Sequence, residues 1–138
     1  MTKRKPQNNT TDIGTHEWIL PLSTDPYVFV GRKPLAVIFN DERVEVKSWR
    51  EVFIVILKQC NDDYEHHNSL MSLRDKLFGN IRVLLSKSTS EMTRPVKIDE
   101  DMFAETHYGS QTLMHILVQR ILLPVQFDYS NIKIVIKR

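Results

Sequence analysis

A basic segment between positions 79 and 97 is the part of the sequence best suited to binding a charged partner. Its cations are Arg82, Lys87, Arg94 and Lys97. Glu91 is the one acidic residue among them, so the segment has a net charge of +3. Its serines and threonines can donate hydrogen bonds to phosphate oxygens. The segment therefore predicts contact with a nucleic-acid backbone, from one side only, because four acidic residues follow within 99–105.

A polar helix face supplies a second set of candidate binding residues. Apolar residues recur at helical spacing from 113 to 121, which predicts a helix capped by Ser110. Gln111 and Gln119 then lie on its exposed face, and their amides can pair with bases or phosphates. Arg120 is the single basic residue of this helix, whereas helices that read a DNA groove usually have more. An ordinary solvated helix face therefore remains the alternative.

Specific catalytic and metal-binding patterns are absent from the sequence. The chain has four glycines and contains neither a G-x-S-x-G elbow nor a glycine-rich phosphate loop. His66 and His67 are adjacent, so on a helix their side chains point about 100° apart and chelate one ion poorly. Cys60 ends an apolar helical run, which is typical of a buried, inert thiol. We expect no catalytic residue, no metal and no cofactor.

Three helices are predicted to position these residues. Ser48 begins the clearest one, because Ser48 and Glu51 form a capping box in which each side chain satisfies the backbone amide of the other residue. The apolar residues that follow make a wide face, so we expect a central helix that ends near 61–63. A second helix is predicted over 69–78 with Gly79 as its C-terminal cap, and the third is the helix from Ser110.

Short strands complete the predicted fold. Two apolar runs at 35–39 and 44–46 flank the turn residues Asn40 to Glu42, which predicts a β-hairpin. Further strands are expected at 81–85, 96–98 and 102–105. The last residues alternate in a period of two, so Ile132, Ile134 and Ile136 should share one face of a terminal strand, with Val135 and the lysines on the other.

The predicted organisation is one α+β domain over 34–138, with a small antiparallel or mixed sheet and three helices. Residues 1–12 are expected to be a disordered basic tail. Residues 13–33 are expected to be an extended N-terminal segment with a short strand at 27–30. A helix followed by a terminal strand is also how a winged-helix module ends, so the C-terminal part predicts a winged-helix-like arrangement.

The composition narrows the class of protein. The 138 residues include 19 basic and 17 acidic side chains, and a net charge of +2 does not by itself imply nucleic acid. No run of 18 apolar residues and no secretory signal occur, so no membrane partner is expected. A single cysteine excludes an intrachain disulfide and suits a reducing compartment. The expected location is cytoplasmic.

Two stretches resemble a known family. Residues 46–57 read VKSWREVFIVIL after an apolar hairpin, and residues 103–121 read FAETHYGSQTLMHILVQRI before a short terminal strand. The pattern is similar to a small uncharacterised bacterial domain found at the C-termini of restriction-system, phage-defence and mobile-element proteins. The resemblance covers about 34–138 and implies no catalytic residues. His107 and Tyr108 depart from the family's pattern.

These observations predict a non-catalytic module that binds DNA or a nucleoprotein complex in a bacterial defence or mobile-element setting. A protein–protein adaptor or oligomerisation domain is the alternative, and a small enzyme of unrecognised type is the third. Nucleic acid is favoured by one continuous basic face formed by Arg82, Lys87, Arg94, Lys97, Lys137 and Arg138. An exposed apolar patch favours an adaptor.

Overall fold

Two antiparallel sheets and three α-helices give the chain an α+β fold, as predicted. The computed structural model describes residues 11–12, 16–78 and 83–138. The strands are β1 Thr11–Asp12, β2 Glu17–Pro21, β3 Pro34–Phe39, β4 Glu42–Glu45, β5 Leu85–Ser86, β6 Pro95–Asp99, β7 Met102–Glu105 and β8 Ile132–Lys137. The helices are α1 Trp49–Asp62, α2 His67–Met71 and α3 Ser110–His115, with a 3-10 helix at Pro26–Phe29 and a π-helical segment at Ile116–Leu122.

The larger sheet has the strand order β1-β2-β8-β3-β4, which makes the C-terminal strand β8 central. Ile132, Ile134 and Ile136 of β8 are buried on one face, as predicted. Val135 on the other face is also fully buried, so both faces of β8 are covered at its centre. The winged-helix expectation is wrong, because β8 pairs with β2 and β3 inside a sheet instead of forming a peripheral wing.

The N-terminal residues belong to this same sheet. β2 pairs with β8 along its whole length, so residues 17–21 are a strand of the sheet. The predicted strand at 27–30 is wrong, because Pro26 fixes a helical φ and the Asp25 side chain accepts the Tyr27 amide to cap a 3-10 turn. Of the predicted tail, residues 11–12 form β1 against β2, and residues 1–10 lie outside the described residues.

Helix α1 begins at the predicted cap and is central. The Ser48 hydroxyl accepts the Glu51 amide at 3.1 Å, while the Glu51 carboxylate accepts the amide of Lys47, one residue before the predicted partner. The helix packs against β3 of the larger sheet and β6 of the smaller one. Trp49 is half-buried, with its ring 4.9 Å from that of Phe29.

The smaller sheet has the order β5-β7-β6, and its surroundings differ most from the prediction. The predicted second helix is shorter in the structure, where it ends as α2 at Met71. The chain turns at Asp75, which has a φ of +63°. The Asp75 amide then donates to the Leu85 carbonyl, and the Leu84 amide donates to the Leu77 carbonyl. Of the predicted strand at 81–85, the described part contributes Leu85 to β5. Gly79, proposed as a cap, lies among the undescribed residues 79–82.

The predicted cap of the third helix is wrong by one residue, because Ser110 is its first helical residue and Gly109 occupies the N-cap position. Its hydrogen bonding widens from α to π after His115. The π-helical segment buries five apolar side chains against the core: Ile116, Leu117, Val118, Ile121 and Leu122. The wider π turn brings more of these neighbouring side chains onto one face than an α turn does.

Candidate nucleic-acid interface

The predicted basic segment is only partly available as a binding surface. Lys87 and Arg94 are exposed in the loop between β5 and β6. Lys97 is exposed on β6, but its ammonium lies 2.8 Å from the Glu100 carboxylate. This hydrogen bond raises the pKa of Lys97 and balances its charge locally. Arg82 lies outside the described residues. Within the part of the chain that the structure describes, Lys87 and Arg94 form no ion pair.

The two predicted glutamines are both exposed. Gln111 lines a cleft of about 230 Å³ together with Asp25, Thr112 and His115. Gln119 lies further along the chain, on the π-helical segment.

A buried carboxylate, Glu105, fixes the start of β6. Its side chain is 1% exposed and accepts the backbone amides of Thr93 at 2.5 Å, Arg94 at 2.9 Å and His107 at 2.9 Å. Amide donors around a carboxylate favour its charged form inside the protein. Glu105 at the end of β7 thereby holds the backbone from which the Arg94 side chain projects.

The next residue, Thr106, extends this anchor to α1. Its hydroxyl donates to the Arg94 carbonyl at 2.6 Å and accepts from the Arg50 guanidinium at 2.8 Å. Arg94, His107 and Tyr108 line the cleft of about 330 Å³ beside it. The Glu-Thr-His sequence noted above thus has a structural role here, which its residue types alone did not indicate.

A second group of cations lies at one end of the strands β3, β4 and β8 of the larger sheet. The sequence argument identified only its C-terminal pair. We call it the strand-end cluster, and it consists of Arg32, Lys33, Lys47, Lys137 and Arg138. β3 starts directly after Lys33, and β8 ends at Lys137. The Lys137 amide donates to the Lys33 carbonyl at 2.9 Å.

The position of Lys47 follows from the β4 pairing. Val46 donates its amide to the Leu35 carbonyl at 3.0 Å, which continues the β3–β4 ladder to the residue before Lys47. Lys33, Lys47 and Lys137 therefore lie at the ends of three neighbouring chain segments, and all three are exposed. Lys33 is opposite Lys137, whereas Lys47 is opposite Pro34, one residue along. Within the described parts of the chain, none of these lysines forms an ion pair.

Trp18 organises the two arginines of the strand-end cluster. The guanidinium of Arg32 lies 4.9 Å from the centroid of the Trp18 ring, and that of Arg138 lies 5.8 Å from it. The Arg32 carbonyl also accepts the indole N–H of Trp49 at 2.8 Å. Stacking on an aromatic face orders an arginine without neutralising it. Through the hydrogen bond between Trp49 and Arg32, the strand-end cluster is connected to the first turn of α1.

One group of metal-ligand residues occurs at the end of α1. Single side-chain atoms of Asp63, Glu65 and His66 come within 4.8 Å of one another. Both ring nitrogens of His66, however, face protein oxygens, those of the Asp63 carboxylate and the Gln126 carbonyl. A coordinating imidazole needs a free nitrogen lone pair, so this arrangement of His66 does not suit a metal.

An exposed apolar segment lies before the strand-end cluster in the sequence. Tyr27, Val28 and Val30 are 70%, 39% and 50% exposed, while Phe29 between them is fully buried. The 3-10 turn explains this arrangement, because one side of a short helix faces the core and the others face outward. This segment is the kind of surface that an adaptor would use.

Comparisons of the chain with protein-family models, curated proteins and solved structures find no match. The resemblance to the bacterial domain therefore stays a prediction. In the part of the chain that the structure describes, no helix is long and apolar enough to cross a membrane.

Proposed function

We propose that the chain is a non-catalytic module that binds DNA or a nucleoprotein complex through the strand-end cluster. The observation that carries this proposal is the row of three exposed lysines, Lys47, Lys33 and Lys137, without ion-pair partners among the described residues. The bacterial defence or mobile-element setting rests on the sequence resemblance alone.

The spacing of the row suits a phosphate backbone. Neighbouring strands lie about 4.8 Å apart, so the backbones of three adjacent strand ends span about 10 Å. A nucleic-acid backbone that crosses these strand ends passes all three exposed lysines. Each contact releases condensed counterions and contributes affinity that does not depend on base sequence. Arg32 and Arg138 beside them add guanidinium groups that can bind phosphate oxygens in a fork.

Competing acidic groups near the row are engaged elsewhere. Glu17 and Glu45 both lie against the guanidinium of Arg43, at 3.6 Å and 2.5 Å. The Glu51 carboxylate accepts the Lys47 backbone amide. None of these contacts involves a lysine ammonium group, although Glu17 lies opposite Lys137 in the β2–β8 ladder.

Salt-dependent fluorescence anisotropy with short duplex and single-stranded DNA tests the proposal. The strand-end variant replaces Lys33, Lys47 and Lys137 by alanine, and the loop variant replaces Lys87, Arg94 and Lys97. Both variants lose three positive charges. We expect the strand-end variant to flatten the log–log salt dependence by about 2.7, since each duplex phosphate contact contributes about 0.9.

The loop variant is the matched control, and we expect a smaller change from it because Lys97 is paired with Glu100. Loss of slope in the loop variant alone would move the site to the predicted basic segment. An absence of binding by the wild-type chain at low salt would reject the proposal for isolated DNA.

An adaptor function is the second candidate, and the exposed Tyr27, Val28 and Val30 favour it. Self-association through this segment should disappear when Val28 and Val30 are replaced by serine. Sedimentation velocity over a range of concentrations measures it. A wild-type chain that stays monomeric at high concentration would exclude self-association through this segment.

A further inference from the structure

His66 connects two separate parts of the chain through both of its ring nitrogens. Nδ1 contacts the carboxylate of Asp63, which directly follows α1. Nε2 lies 3.1 Å from the carbonyl oxygen of Gln126, in the turn that follows the π-helical segment. The ring also meets the Phe127 ring edge-on, with the centroids 5.3 Å apart. This single side chain therefore ties the α1–α2 junction to the turn that leads into β8.

The chemistry of the two contacts requires a charged ring. An ionised carboxylate and a backbone carbonyl can only accept hydrogen bonds, so both His66 nitrogens must donate. A neutral imidazole has one N–H and can satisfy one acceptor, whereas the imidazolium satisfies both. When the ring loses a proton, the remaining N–H stays with Asp63, because a carboxylate is the stronger acceptor. The Nε2 lone pair then faces the Gln126 carbonyl.

We propose that His66 is a pH-sensitive latch, which holds the turn at Gln126 and Phe127 against the end of α1 when protonated and releases it when neutral. The latch is independent of the nucleic-acid proposal, because it lies at the C-terminal end of α1, whereas the strand-end cluster lies at its N-terminal end. Release uncovers the half-buried Phe127. Leu123, four residues before it in the chain, is already 52% exposed.

The surrounding charges set the direction of the titration. The hydrogen bond to Asp63 is the main influence that raises the pKa of His66, and the negative charges of Asp63 and Glu65 act in the same direction. The turn opposite contributes the uncharged Gln126 carbonyl and the Phe127 ring. Because the folded pKa is raised, the latch is fully closed below the ordinary value of about 6.5 and opens as the pH rises through the higher folded value.

The backbone of the turn is suited to such a change. Gln126 has a positive φ of 62°, a conformation that a residue with a side chain adopts at some cost. The Gln126 amide donates to the Leu123 carbonyl, and the Phe127 amide donates to the Leu122 carbonyl. Opening of the turn after loss of the histidine contact exposes these amides to exchange with water.

An NMR titration between pH 5 and 9 tests the latch. The Phe127 amide shares a peptide group with the Gln126 carbonyl, so its chemical shift reports the contact directly. We expect the His66 ring and the Phe127 amide to titrate with one common midpoint above 6.5. In His66→Gln the Phe127 amide should no longer follow pH, because glutamine does not titrate. His115→Gln, at an exposed histidine on α3, is the matched control and should leave the titration unchanged.

Amide hydrogen exchange measures how firmly the turn is held. Below the midpoint, the Phe127 amide of His66→Gln should exchange about tenfold faster than that of the wild type, the factor expected for loss of one charge-assisted hydrogen bond. Above the midpoint the two proteins should agree.

Asp63→Asn provides a second variant should His66→Gln fail to fold. This substitution removes the main cause of the raised His66 pKa, so the common titration midpoint should move to lower pH. The latch is overturned if the Phe127 amide ignores the titration of His66, if it still titrates in His66→Gln, or if Asp63→Asn leaves the midpoint in place.

Discussion

Replacement of Glu105 by glutamine should destabilise the protein more than any other single change of charge considered above. One carboxylate oxygen accepts the Thr93 amide, and the other accepts the amides of Arg94 and His107. Glutamine can present one oxygen and one NH₂ group. In its best orientation the glutamine oxygen keeps the two hydrogen bonds from the Arg94 and His107 amides. The NH₂ group then faces the Thr93 N–H, and that hydrogen bond is lost.

The magnitude follows from these three bonds. A hydrogen bond to a charged group contributes about 2 kcal/mol and one between neutral groups about 1 kcal/mol. The variant loses one charged bond outright and weakens the other two, so the free energy of unfolding should fall by about 3–4 kcal/mol. Glu105 is 1% exposed, so water cannot replace the lost acceptor. Native domains have only about 5–15 kcal/mol of stability, so the change is large.

Urea denaturation followed by tryptophan fluorescence measures this loss, since the chain contains Trp18 and Trp49. Glu91→Gln is the matched control, because Glu91 is exposed and its replacement changes the net charge equally. We expect the control to shift stability by less than about 0.5 kcal/mol. A loss in Glu105→Gln below 1 kcal/mol, or one equal to the control, would show that the buried carboxylate does not hold this loop.

Three further predictions concern separate features. Ser48→Ala should lower stability by about 1 kcal/mol through loss of the α1 cap; an unchanged denaturation midpoint would contradict the capping role. Burial raises the pKa of the Cys60 thiol to about 12, so a thiol reagent at pH 8 should modify the protein only in denaturant, and rapid labelling of the folded chain would disprove this. The hydrogen bond from Asn61 lowers the pKa of Asp99. The contact therefore stabilises the folded protein at any pH above the unfolded-state pKa of about 3.9, and this stabilisation is lost as the pH falls through the lower folded-state pKa. Acid unfolding of Asp99→Asn should therefore depend less on pH than that of the wild type, and identical profiles would count against the contact.

The elements that the sequence predicted well are those with local causes. The hairpin of β3 and β4 depends on two apolar runs around three turn residues, and the start of α1 depends on one hydroxyl and one amide three residues apart. The terminal strand follows from a strict period of two. In each case the determining residues are close in the sequence, so composition and spacing are sufficient.

The sheet order could not be predicted in this way. β2 and β8 pair although more than a hundred residues separate them, and no local pattern at 17–21 indicates that partner. The π-helical segment was also hidden, because the spacing of its apolar residues suits an α-helix equally well. α2 ends early because of contacts with a later part of the chain: Asp75 and Leu77, which follow the helix, form backbone hydrogen bonds with Leu85 and Leu84.

The same distinction explains what was missed at the candidate site. The basic segment at 79–97 is visible because its cations are neighbours in the sequence, and yet the structure pairs Lys97 with Glu100. The β3–β4 hairpin brings Lys33 and Lys47 near each other, and Lys137 joins them only when β8 enters the sheet between β2 and β3. A composition argument finds the first group and not the second.

The first turn of α1 connects the two groups of cations. Trp49 donates to the carbonyl of Arg32 in the strand-end cluster, and Arg50 next to it donates to Thr106, whose hydroxyl holds the Arg94 carbonyl. Arg94 and the strand-end cluster therefore lie on either side of one helical turn, at the positive end of the α1 dipole. Lys97 instead forms an ion pair with Glu100. Arg94 of the predicted basic segment is thus connected through α1 to the strand-end cluster, and the Glu105 carboxylate fixes the backbone at that point by accepting the Arg94 amide.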